Sequence, residues 1–285
     1  MKDNRLHYPI KLMARVLDVS RAGYYAWLAR GPSPRALADA TLKGKVKKAH
    51  DDSRGTYGPK RIQSELAAEG TLVGRDHISR LRKEMGLRCK QKRKFKATTN
   101  SKHNLPTVPN LLNQEFSPES PGMVWGTDIT YIPTDEGWLY LSGVKDFASK
   151  EMVGWAMGDR MTKELVQAAL RKALAFRTPL PGCIHHSDRG SQYCSHEYRR
   201  DVEAAGFRPS MSGKGNCYDN APTESLWGCL KQELVHHRRF ATRAEAQAAI
   251  QEYIEIFYNR VRRHSAIGNI APSRYAEAFY LKKSA

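Results

Sequence analysis

Residues 124–158, VWGTDITYIPTDEGWLYLSGVKDFASKEMVGWAMG, decide the fold. Three apolar, aromatic-rich segments, 124–132, 138–146 and 151–157, are separated by short polar turns, which is the pattern of three consecutive strands. Downstream, Leu165, Ala169, Leu170, Ala173 and Leu174 recur at helical spacing and predict a helix over 162–177. A short strand over 182–187 ends at Asp188. A helix over about 195–205, a strand near 207–211 and helices over about 221–236 and 242–260 follow. Strands in a row, then alternating helix and strand, predict an α/β mixed sheet with helices on both faces.

Upstream of this stretch the pattern is all-α. Ile10, Met13 and Leu17 share one helical face. Ser20 can cap a second helix carrying Tyr24 and Leu28, which Gly31-Pro32 stops. Residues 35–50 read as a basic helix with Lys43, Lys45, Lys47 and Lys48. Pro59 opens a helix with Ile62 and Leu66 on one face, and Gly70 ends it. Ile78, Leu81 and Met85 form the next stripe, closed by Gly86. Its other face carries Arg75, Arg80 and Lys83. Two short helices with a Gly-containing turn and a basic second helix suggest a helix-turn-helix DNA-binding region. A plain helical hairpin with a solvated basic face gives the same pattern. The expected divisions are a basic helical segment over 1–50, the helix-turn-helix-like unit over 51–90, a basic and Pro-rich linker over 91–121, and the α/β unit over 122–285.

Charge follows the same division. The 285 residues hold 47 Lys and Arg against 29 Asp and Glu, a formal charge of +18. Residues 1–104 carry 25 basic and 9 acidic side chains, whereas residues 105–285 carry 22 and 20. A basic part beside a nearly neutral one points to a polyanion-binding module, and DNA is the polyanion whose affinity rests most on phosphate neutralisation. No uncharged apolar run is long enough to span a membrane. The five cysteines, Cys89, Cys183, Cys194, Cys217 and Cys229, include no C-x-x-C pair, which argues against a disulfide framework or zinc ribbon and suits a reducing cytoplasm.

Three acids stand out by position. Asp128 interrupts the first strand, where a carboxylate is costly without a task or a partner. Asp188 ends the fourth strand, the place where open α/β sheets put their sites. Glu224 opens a helix, within Asp219-Asn220-Ala221-Pro222-Thr223-Glu224. Two strand acids and one helix acid can together grip hard divalent cations, which take oxygen ligands. Acids scattered at loop edges and helix starts account for the same residues without chemistry.

The surrounding words are narrower. Asp188 and Glu224 are separated by 35 residues, and Lys231 lies seven beyond Glu224. That spacing resembles the D-D-(35)-E-plus-basic signature of retroviral-integrase-like DDE recombinases. The strings WGTDITYI, HSDRGSQY, GNCYDNAPTESLWGCLKQE and YNRVRRHSAIGNIAPSRY resemble the second-frame transposase of IS-three-type insertion sequences. YGPKRIQSEL with ISRLRKEMGL resembles the helix-turn-helix segment before its core, and VLDVSRAGYYAWLAR extends the likeness to the N-terminal region. One departure is Lys150 after Ser149, where an arginine is expected.

The resemblance implies a ribonuclease H-like core with Asp128, Asp188 and Glu224 as catalytic metal ligands. It implies two Mg²⁺ or Mn²⁺ ions, Asp128 bridging them and Asp188 and Glu224 each holding one. It also implies transposon-end and target double-stranded DNA as partners, self-association into a synaptic complex, an upstream first-frame protein as a further partner, and a cytoplasmic, nucleoid-associated location. The reaction would cut at the transposon end to leave a 3′-hydroxyl, which then attacks target DNA without a covalent enzyme intermediate. Lys231 matches the basic residue near the terminal nucleotides. Lys60, Arg61, Arg75, Arg80, Lys83, Arg260 and Arg263 are further candidates for DNA contact. A non-catalytic DNA-binding regulator and a structure-selective nuclease on the same core are the alternatives. Asp219 reads as a turn or cap residue, His185 and His186 as hydrogen-bonded core histidines, and Asp146 as a strand-end support. Trp125, Tyr131 and Trp155 read as core aromatics.

Overall fold

The computed structural model describes residues 1–90, 107–213 and 217–284. Residues 91–106, most of the expected linker, lie outside the described residues. The first part is helical: α1 (Ile10–Val16), α2 (Arg21–Ala29), α3 (Pro34–Asp52), α4 (Pro59–Ala68) and α5 (Arg75–Glu84). Ser20 caps α2, its hydroxyl accepting from the Gly23 amide at 2.8 Å. Helices α3, α4 and α5 share a core built from Val46, Ala49, Tyr57, Ile62, Leu66 and Ile78. By contrast, α1 and α2 bury only Ala14 and Tyr24.

The second part is a five-stranded mixed sheet. Its strands are β1 (Val124–Thr134), β2 (Gly137–Asp146), β3 (Met152–Gly158), β4 (Ile184–Ser187) and β5 (Arg208–Met211). They lie in the order β3-β2-β1-β4-β5. The first three pair antiparallel, while β4 is parallel to β1 and β5 is parallel to β4. This is the ribonuclease H-like mixed sheet that the resemblance implied, and the three-strand reading of residues 124–158 holds.

Alternation along β1 sends side chains to two cores. Trp125 packs with Val144 and Val153 against α6 (Lys163–Phe176) and α7 (His196–Ala204). Gly154 makes the α6 contact possible, because a Cβ there would collide with the Ala169 carbonyl and with Ala173. Ile132, Leu139 and Leu141 face the other way, toward Leu226, Trp227 and Leu230 of α8 (Ala221–Glu233) and Ile250 of α9 (Arg243–Glu252). The helix expected over 242–260 changes character midway: α9 runs on into wider π-helical turns over Tyr253–Val261. Asn259 on those turns bonds both the amide and the carbonyl of Met152, at 3.0 Å each, where the β2–β3 register shifts. A last helix, α10 (Pro272–Ser284), closes the fold.

The helical part docks on these π turns. The Arg263 amide donates to the Tyr57 hydroxyl at 2.7 Å, Arg263 pairs with Glu65, and Arg54 pairs with Glu252 while lying over the Phe257 ring. Among the described residues no helix is long and apolar enough to cross a membrane.

One aromatic expectation needs correction. Trp125 is buried, and Trp155 packs half-buried against the core that holds Ile132, Leu139 and Leu141, with the Lys172 ammonium 3.1 Å from its ring centre. Tyr131 is half-buried, near the turn of the β1–β2 hairpin, where it meets Trp138 and the Lys231 ammonium instead of an apolar core.

Candidate active site

The site is assembled from β1, β4 and α8. In the parallel β1–β4 pair, Val124 lies beside Ile184 and Gly126 beside His186. Carried on two residues, that register brings Asp188, just past β4, level with Asp128. Helix α8 crosses the same region at close range, because β1 and β2 offer it glycines. A Cβ at Gly126 would strike Phe147 and the Thr223 hydroxyl, and one at Gly143 would strike Met152 and the Trp227 ring. Gly143 is the cross-strand partner of Asp128, so Trp227 is set down beside that carboxylate.

Both oxygens of Asp128 are engaged. Oδ1 accepts from the Ile129 amide at 2.8 Å, and Oδ2 accepts from the Trp227 indole at 3.0 Å. Burial raises the Asp128 carboxyl well above its ordinary value, and the charges of Asp188 and Glu224 raise it further. Glu224 is raised as well, by partial burial and by Asp188. Asp188 Oδ1 accepts from the Gly190 amide at 2.9 Å. Three acids far apart in sequence therefore share one electrostatic field. They are not closed up: Glu224 is exposed, and among the described residues no three His, Cys, Asp or Glu side chains are gathered at metal-binding distances.

Lys231 lies two turns along α8 from Glu224. Its ammonium sits 4.9 Å from the centre of the Tyr131 ring. Burial lowers its pKa while the Asp128 charge pulls it back up. Lys145, buried on β2, ties down the start of α8 by donating to the Pro222 carbonyl at 2.7 Å, and burial lowers it to about 7.

The supporting residues behave as structure. Asp219 accepts from Asn110 at 3.0 Å, Gln114 at 3.2 Å and the Gly213 amide at 2.7 Å, so it fastens residues 110–114 to the approach to α8. Asp146 takes the amides of Gly122 and Ser149, both at 2.7 Å. His186 meets the Ser210 and Ser212 hydroxyls at 2.9 and 3.2 Å, and His185 meets the Tyr198 hydroxyl at 2.7 Å.

The remaining cationic candidates divide by pairing. Arg80 bridges Asp39 and Glu84, each at 2.8 Å, and Arg263 is held by Glu65. The Arg61 guanidinium lies 5.6 Å over Tyr57. Lys60, Lys83 and Arg260 are exposed, and so is Arg75, which lies 3.6 Å from the Asp76 carboxylate. Trp227 was not anticipated from sequence. Its one available signal was its position three residues after Glu224, on the face of α8 adjoining that of the acid.

Comparison with known proteins agrees with this architecture. Residues 36–95 match a model described as an HTH-like domain, and residues 118–217 and 205–272 match models described as an integrase core domain. An uncharacterized 31 kDa protein of insertion element IS600 from Shigella sonnei is 58% identical over 94% of this chain and 98% of that protein. Transposase InsF for insertion sequence IS3A from Escherichia coli K12 is 40% identical over 96% of each. The HTLV-2 integrase catalytic core domain in complex with magnesium is similar at 14% identity and a TM-score of 0.42, over 55% of this chain and 98% of that one. The likeness to the InsF transposases runs nearly end to end, and the chain belongs to the IS3-type family of insertion-sequence transposases, with an HTH-like region ahead of an integrase core.

Proposed function

We propose that this chain cuts DNA at insertion-sequence ends and joins the released 3′-hydroxyl to target DNA. Asp128, Asp188 and Glu224 are the catalytic carboxylates in this reading. The observation that carries it is their mutual electrostatic field: Asp128 and Glu224 are both raised by Asp188, across three separate elements. Such crowding costs stability unless a cation relieves it. The donors are all carboxylate oxygens, which suits Mg²⁺ or Mn²⁺, and Asp128, Asp188 and Glu224 would together hold two such ions. Bound there, divalent cations supply charge stabilisation at the phosphoryl oxygens and make water or a 3′-hydroxyl a competent nucleophile.

The chain's own groups do the placing. The Gly190 amide fixes Asp188, and Trp227 with Ile129 fixes Asp128. Lys231 supplies a positive charge two turns along α8 from Glu224, placed for the phosphates of the terminal nucleotides. The exposed Lys60, Arg75 and Lys83 of the HTH-like region supply sequence-independent phosphate contacts.

The test is an end-cleavage and strand-transfer assay with Mg²⁺. Asp188→Asn is expected to lower both steps by at least about a thousand-fold, as loss of a metal-holding group does when it removes several kcal/mol of transition-state stabilisation. DNA binding should be unchanged. Full activity of that variant refutes the assignment, and cleavage by the parent chain without a joined product identifies a nuclease instead.

A further inference from the structure

Lys231 is not the last feature along the edge of the site. Beyond it the β1–β2 hairpin presents Trp138, whose side chain is 48% exposed. Tyr131 packs against Trp138 in a T-shape, with ring centres 4.8 Å apart and planes at 80°, and the Lys231 ammonium sits over Tyr131. Tyr131 lies three residue steps along the strand from Asp128, roughly 10 Å.

The hairpin end is also held in place. Arg243 donates to the Trp138 carbonyl at 3.1 Å, and its amide donates to Glu136 at 2.8 Å. The Asp135 amide donates to the Phe240 carbonyl at 3.0 Å, and Arg239 pairs with Asp135 at 3.0 Å. Thr134 bonds the Gly137 carbonyl at 2.6 Å across a turn whose glycine has φ +103°. An exposed indole is thus mounted on a pinned hairpin, beside the segment Val235-His236-His237-Arg238-Arg239-Phe240-Ala241-Thr242-Arg243, which offers three arginines in nine residues.

We propose that Trp138, backed by Tyr131, is a stacking platform for an unpaired nucleobase of the DNA end, with Lys231, Arg239 and Arg243 tracking the flanking phosphates. Resting on the DNA-end reading above, this names the form of DNA the site takes. Sites for single strands combine aromatic faces with neighbouring cations, and stacking tolerates any base. An enzyme that works on a terminal phosphodiester gains from opening the last pairs, and a waiting ring offsets part of the unstacking cost. Continuity favours DNA over a protein partner: the platform adjoins Lys231, which lies within the field of Asp128.

The experiment uses the full chain without metal and a 30-base-pair duplex carrying a three-nucleotide 5′ tail with 2-aminopurine, against the same duplex blunt. The wild type should prefer the tailed duplex and quench the 2-aminopurine. Trp138→Ala should lose the quenching and weaken tailed binding about five-fold or more, leaving blunt binding unchanged. Trp138→Phe should keep both, which separates stacking from a folding defect. Retention of quenching and tail preference by Trp138→Ala overturns the proposal. So does a Trp138→Ala chain whose only change is a lower sedimenting mass, which would make the hairpin a contact between copies of the chain. Neither arm needs metal or cleavage, so this result and that of the Asp188→Asn assay can fail independently.

Discussion

Asp128 shows what a proposed site residue costs a fold. It lies on a strand between two cores, next to Asp188, and its carboxyl is raised first by burial and then by that neighbour. A carboxyl raised on folding contributes stability while it is protonated and loses that contribution as pH rises through its folded value. Without metal, Asp128→Asn should therefore melt a few degrees above the wild type at pH 8, about 2–4 °C for each kcal/mol recovered. The gap should close toward pH 4, and thermal melts at the two pH values check it. Added Mg²⁺ should raise the wild-type melting temperature and leave the variant where it was. A variant that melts lower than wild type at pH 8 would mean that the carboxylate stabilises the metal-free fold.

At the scale of elements, the glycines set how closely helices approach the sheet. Gly154 touches α6, and Gly126 and Gly143 touch α8. At Gly154 the obstacle to a side chain is partly the Ala169 carbonyl, which cannot swing aside as a side chain can. Gly154→Ala should cost about 1–3 kcal/mol or more by overpacking, read as a fall in the urea midpoint with unchanged slope. An unchanged midpoint would show that α6 is free to back away. These close approaches also explain what could be read in the sequence. The strands of 124–158 and the α6 stripe follow from local alternation, which the sequence displays directly. The Trp227–Asp128 bond does not, because it depends on α8 settling across two glycines on different strands. The i,i+4 pair of Arg80 with Glu84 follows from helical spacing, but its pairing with Asp39 was not visible, since Asp39 is 41 residues away and comes into reach only when α3 packs on α5. Tyr131 looked like core because alternation says which face a residue takes, and is silent on whether anything covers that face.

Across the whole molecule, the HTH-like region and the integrase core are joined by more than the intervening chain. Tyr57, Glu65 and Arg54 on one side meet Arg263, Val261 and Glu252 on the other. The exposed cations Lys60, Arg75 and Lys83 therefore belong to a unit held against the integrase core. Charge segregation in the sequence foretold two kinds of unit, but it carried no information about this interface, which uses residues of both. Glu224 is exposed while Asp128 and Asp188 lie level on neighbouring strands, and the proposed chemistry requires all three at one point. The most direct measurement is an anomalous difference map from crystals of the chain with duplex DNA soaked in Mn²⁺. Peaks ligated by Asp128 and Asp188 are expected, with Glu224 drawn into the same cluster; Mn²⁺ bound elsewhere, or Glu224 left in solvent with DNA and metal both present, would overturn the assignment of the three carboxylates.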